Sequence, residues 1–373
     1  MAMIDALASP SLLRRQLLAA GLMAPLWPAA STAHAGAADT ALTRRTLAFP
    51  HDLGSHPDHA IEWWYITGHL RAASGEREFG FQLTFFRSRV SATQAMTSAF
   101  AAKQLVFAHA AVTDVAGKKL LHDQRIAREG FGLAQASQSD TAVNLRGWSL
   151  VREATQYRAV VKGKDFSFAL DLHESQPMLL QGDQGWSRKG PQEQQASFYY
   201  SLPQLQVKGA LVLAGQTMKV AGTAWLDHEW SQQLMHPQAV GWDWIGMNLL
   251  DGSALTAFRL RDKSGTALWD GGSWRQPGMG AAPQVFKHGE VVFTPQRYWT
   301  SPLTQARYPV QWTVQTPAAV YTVKAVMDNQ ELDSRASTGA VYWEGLSELL
   351  DSKGQLIGRG YLEMTGYASP LRL

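Results

Sequence analysis

Phe166-Ser-Phe-Ala-Leu-Asp-Leu172 carries an apolar side chain at every second position. In an extended chain successive side chains point to opposite faces, so Phe166, Phe168, Leu170 and Leu172 share one face. The run reads as a strand with that face in a core. Comparable runs flank it: Phe79-Gly-Phe-Gln-Leu-Thr-Phe-Phe86, Tyr157-Arg-Ala-Val-Val-Lys162 and Tyr321-Thr-Val-Lys-Ala-Val326. Turn pairs separate such runs, among them Ala116-Gly117, Lys162-Gly163, Asp251-Gly252 and Lys353-Gly354. Only Ser91 to Lys103 leaves room for a helix. Many short strands with frequent turns predict an all-β chain built as sandwiches or barrels.

Composition narrows the function classes. The 373 residues include 14 Trp, 32 Gly and no Cys. Without cysteine there are no disulfides, zinc ribbons, iron–sulfur ligands or thiol nucleophiles. A net charge of +3, without basic runs, does not suit nucleic-acid binding. No segment reaches the roughly 18 apolar residues of a membrane-spanning helix, so no integral span is expected.

The first 35 residues read as an address. Arg14-Arg15 precedes a short apolar run from Leu18 to Trp27, and Ala33-His34-Ala35 offers small residues where a signal peptidase cuts. The paired arginines suit twin-arginine export; an ordinary secretory signal is the alternative. Either predicts a periplasmic or secreted protein.

Two echoes suggest internal duplication. Leu83-Thr-Phe-Phe-Arg87 resembles Leu255-Thr-Ala-Phe-Arg259, and each follows an acid–Trp pair, Glu62-Trp63 or Asp243-Trp244. Gly222-Thr-Ala-Trp-Leu-Asp227 resembles Gly358-Arg-Gly-Tyr-Leu-Glu363. The expected division is 45–231 and 239–373, about a loop near 231–239.

The densest chemistry lies in Trp225-Leu-Asp-His-Glu-Trp230 and Gly241-Trp-Asp-Trp244. On a strand, Trp225, Asp227 and Glu229 share one face, and Leu226, His228 and Trp230 the other. Neighbouring carboxylates in an apolar site push one pKa upward, which leaves an acid protonated near neutrality. An imidazole beside it relays a proton, and Trp faces stabilise a transient cation. The competing reading is a set of salt bridges tying a strand end in place, since structural ion networks also gather buried charge.

Other motifs are weaker. His56-Pro-Asp-His59 has no second cluster at ligand spacing, so no metal is expected, and no other cofactor. No Gly-x-Ser-x-Gly elbow supports a serine hydrolase, and phosphate-binding glycine loops are absent. Gly185-Trp186-Ser-Arg188 and Phe198-Tyr199-Tyr-Ser201 read as a loop and a strand lining a pocket.

Together with His56-Pro, Glu62-Trp63-Trp64-Tyr65-Ile-Thr-Gly68, Tyr342-Trp-Glu-Gly345 and Gly360-Tyr-Leu-Glu363, these segments resemble the family of carotenoid 1,2-hydratase and the AttH-like secreted lipocalin-like proteins. The resemblance covers about residues 56 to 367. It implies two consecutive lipocalin-like β-barrels with the Asp-His-Glu-Trp segment near their junction. For hydratase members it also implies protonation of a terminal isoprenoid double bond and capture of the cation by water. His228 and Trp230 then match the family's His-x-Trp pair, with Asp243 and Asp227 as acid candidates. The export signal favours the AttH-like branch. The expected ligand is a lipid or isoprenoid held by Trp63, Trp64, Tyr65, Trp186 and Arg188 with Tyr199, Trp225, Glu229, Trp242 and Trp244. The expected partner is an ABC-type transporter.

Overall fold

The computed structural model describes residues 42–278 and 281–371, so the expected export signal lies outside the described residues. Strands dominate, all pairing antiparallel, and the helical turns among the described residues are two short 3-10 segments, His51–Leu53 and Ser91–Thr93. The second is all that forms in the stretch where a longer helix had room. The strand Phe166–His173 buries Phe166, Phe168, Leu170 and Leu172 and leaves the residues between them partly exposed, as its period demands.

Among the described residues two sheets of 13 and 10 strands form, each wrapped into a lipocalin-like barrel. The first runs from Ile61 to Gln233 and the second from Gly241 to Met364. In each sheet the first strand lies between the second and the last. Thus Ile61–Ala72 pairs with Glu78–Arg89 and Gln216–Gln233, and Gly241–Leu249 pairs with Ala254–Arg261 and Leu356–Met364. The sequence echoes therefore occupy corresponding strands, which is the physical content of the repeat.

Side chains help to close the first barrel where backbone pairing stops. Arg125, on one edge strand, donates to the carbonyls of Arg146 and Lys162, the latter at 2.7 Å, and lies 4.4 Å from the Trp148 ring centre. Each barrel has its own apolar core: Trp64, Ile66, Phe81 and Leu170 belong to the first, and Ile245, Trp312, Trp343 and Leu362 to the second. A third cluster, including Tyr65, Trp225, Trp244, Phe258, Leu346 and Tyr361, packs between the barrels. At Gly80 a Cβ atom would stand 2.5 Å from the Tyr361 hydroxyl, so glycine there lets the barrels approach.

Candidate functional site

The strand Gln216–Gln233 reaches the seam with its alternation intact. Trp225, Asp227 and Glu229 face the second barrel; Leu226, His228 and Trp230 face the first barrel's interior. One strand thus divides its polar residues between two environments.

On the inner face, His228 and Glu62 belong to a closed hydrogen-bond network. The His228 ring nitrogens lie 2.9 Å from Glu62 Oε1 and 2.9 Å from the Tyr200 hydroxyl. His56 sits 2.7 Å from the same Glu62 oxygen and 3.1 Å from Asp52, and Arg87 Nε donates to Glu62 Oε2 at 2.7 Å. Burial alone would raise the Glu62 carboxyl, but the bonds from His228 and His56 and the Arg87 charge hold it well below its ordinary value. Burial also lowers His228 to about 4 against the pull of Glu62, so it is neutral at neutral pH. Trp64 stacks on it at 4.7 Å between ring centres, and Trp230 stacks on His56 at 3.7 Å. His56, Glu62 and His228 could coordinate a metal ion, as could His51, Asp52 and His56. In both groups Arg87 or Arg45 already neutralises a carboxylate.

Asp243 faces the interior of the second barrel. Arg259 Nε donates to it at 2.7 Å, the Tyr367 hydroxyl at 2.9 Å, and Arg261 stands 3.5 Å away. The residues read as one constellation, Asp227, His228, Trp230 and Asp243, are therefore split among the seam and two barrel interiors.

Between the barrels lies a cavity of about 300 Å³. Trp63, Tyr65 and Tyr199 line it from the first barrel, with Trp242, Trp244, Phe258 and Leu260 opposite. Of the remaining candidates, Trp225 packs behind Trp244, Trp64 lies inside the first barrel, and Trp186 packs on Phe198. Arg188 caps the carbonyls of Gly190 and Pro191. None of these four lines the cavity.

Five carboxyl groups line it: Glu62, already bound by Arg87, and Asp227, Glu229, Glu344 and Glu363, all buried except the half-buried Glu363. Asp227 accepts from Tyr199 (2.7 Å), Ser201 (2.6 Å) and Trp225 Nε1 (2.6 Å). Burial and the Glu229 charge still push it up to about 7. Glu229 accepts from Ser197 and pairs with Lys189 at 3.0 Å. Glu344 and Glu363 stand directly opposite on adjacent strands. Burial raises both: Glu344 well above its ordinary value, with the Glu363 charge adding to the effect, and Glu363 to about 7, with Asp227 and Glu229 adding. Sequence reasoning left Lys189, Glu344 and Glu363 out of the site. The usable signal was the echo that makes Glu363 the counterpart of Asp227.

A family model described as AttH-like matches residues 40–367. An AttH-type protein of Nitrosomonas europaea is 46% identical, over 88% of this chain and 99% of that one, with a TM-score of 0.81. Kievitone hydratase of Nectria haematococca, 13% identical, covers 87% of this chain and 94% of its own with a TM-score of 0.68, a likeness of fold. A search of curated proteins finds no match. On the match along nearly the whole described chain, and on the fold it shares with the Nitrosomonas protein, this chain belongs to the AttH-like family.

Proposed function

We propose that the protein is an exported binding protein that holds an elongated apolar ligand, a lipid or isoprenoid, in the cavity between its barrels. The observation that carries this reading is the aromatic wall of Trp63, Trp242, Trp244 and Phe258 along a partly open cavity. Such walls bury apolar surface and keep polar edges for hydrogen bonds. Arg14-Arg15 and Ala33-His34-Ala35 support export to the periplasm, where an ABC-type transporter is the fitting partner. Native mass spectrometry of protein purified from its own compartment tests the ligand. A retained lipid or isoprenoid, lost in Trp242→Ala, is the expected outcome; protein that is bare and shows no Trp-fluorescence response to apolar compounds overturns the reading.

A second reading, hydration of an isoprenoid double bond, is favoured by Asp227, an acid held near 7 that faces the cavity. Asp227 would give its proton to one alkene carbon. Water would then bond to the cationic carbon, and its proton would return to the carboxylate, so that one water is added overall. His228 and Asp243 face other spaces and take no part in this scheme. Appearance of the alcohol with wild-type protein, and its absence with Asp227→Asn that still binds the alkene, is the result that supports it. No product with either protein rejects it.

A further inference from the structure

We infer that the polar end of the cavity, formed by Glu344 and Glu363, is a subsite for a cationic group carried by the apolar ligand. The inference rests on the cavity being the ligand site, as proposed above.

The strand register brings these residues together. Glu363 lies opposite Glu344 on one side and opposite Trp244 on the other, so the three form a row across adjacent strands. Directly opposed carboxylates on one sheet face repel and are normally avoided. Here Glu344 is buried and Glu363 half-buried, and among the described residues no Lys, Arg or His side chain forms a salt bridge with either of them or with Asp227. Lys189 and Arg87 are cations that line the cavity, and Glu229 and Glu62 already engage them; the Lys189 ammonium also lies 4.2 Å from the Phe258 ring centre.

A second observation points to a missing partner. Glu344 is 2% exposed, and its Oε1 and the Tyr65 hydroxyl have only each other as hydrogen-bonding neighbours, without a well-formed bond. Both residues line the cavity. A wholly apolar ligand leaves the buried Glu344 carboxyl with that poorly formed Tyr65 contact alone, a costly arrangement for a buried group. A positive centre would meet the carboxyl oxygens, one of them on Glu363 that Trp242 also bonds, within a cavity lined by Trp242 and Trp244, the environment that aromatic walls and acids provide for ammonium groups. The same surroundings would stabilise a carbocation formed from an alkene, so a stable ammonium is the convenient probe for both.

The test uses the intact protein and three probes of equal chain length: decyltrimethylammonium, decanol and decanoate, each below its micelle concentration. Binding is read from Trp fluorescence. The expected order is ammonium about tenfold tighter than decanol, with decanoate weakest. In Glu344→Gln and Glu363→Gln, each checked by thermal melting, the ratio of ammonium to decanol affinity should fall from about tenfold to about one. Equal affinity of the wild type for ammonium and decanol overturns the inference and leaves the apolar cavity standing, and so does an ammonium preference that survives both substitutions. Failure of all three probes to bind overturns the cavity reading as well.

Discussion

Glu62 and Asp243 hold the same place in the two barrels. Each lies on the first strand of its sheet, directly across from an arginine of the second strand, Arg87 or Arg259, and is bonded to it at 2.7 Å. Both carboxylates are buried. The pairs are matching internal ties, one per barrel, and they account for the Leu-Thr-x-Phe-Arg echo.

Removing one partner should therefore unfold rather than inactivate. Glu62→Ala leaves Arg87 buried without a counter-charge, which costs about 3–5 kcal/mol. Asp243→Ala should cost a similar amount through Arg259. Urea denaturation measures both, and in Asp243→Ala, whose carboxylate does not line the cavity, apolar-ligand affinity of the folded fraction should stay at the wild-type value. A variant that keeps full stability and loses binding would contradict this assignment.

His228→Ala should behave in the same way, because its contacts are Glu62, Tyr200 and Trp64 within the first barrel. Loss of a buried, hydrogen-bonded ring predicts about 2–4 kcal/mol of destabilisation. If the variant instead melts like the wild type and fails to bind or turn over ligand, His228 has a role at the cavity that its position does not explain.

Acid and neutral pH should act on different groups. Asp227 rises from 3.8 to about 7 on folding, so its contribution to stability is complete below its unfolded value and is lost as pH rises through about 7. His228 runs the other way. Its value falls from 6.5 to about 4, so its contribution is present above 6.5 and is lost as pH falls through about 4. Denaturation curves across pH should show wild type losing stability relative to Asp227→Asn as pH rises from about 4 to about 8. A constant difference across that range would remove Asp227 as the neutral-range titrating acid.

The clasp on the first barrel should also be measurable. Arg125→Ala removes the donors to the Arg146 and Lys162 carbonyls and the cation over Trp148. The expected cost is about 1–2 kcal/mol, with faster amide exchange on the edge strand Lys119–Arg128 and on Ala142–Leu145, the strand just inside the other edge. Unchanged exchange there would mean that backbone packing alone keeps the barrel shut.

The strands were legible because their cause is local: alternating burial writes itself into Phe166, Phe168, Leu170 and Leu172, and glycines mark the reversals. The two faces of residues 225–230 were legible for the same reason. Which carboxylates share a hollow was not, because that depends on how strands far apart in the chain meet across the seam. Asp243 looked like a partner of Asp227 by proximity in sequence, but the register turns it into the second barrel, toward Arg259. Glu344 and Glu363 lay within noted motifs, and nothing local distinguishes them from surface acids.

The placement of each sheet's last strand beside its first also bears on synthesis. Gln216–Gln233 and Leu356–Met364 are central rather than peripheral in their sheets, so neither barrel completes its hydrogen bonding until its final strand has left the ribosome. Such distant pairings make for slow folding. Until Glu363 arrives, the nascent first barrel presents Trp63, Tyr65 and Trp225 as a bare, sticky surface that calls for chaperone protection.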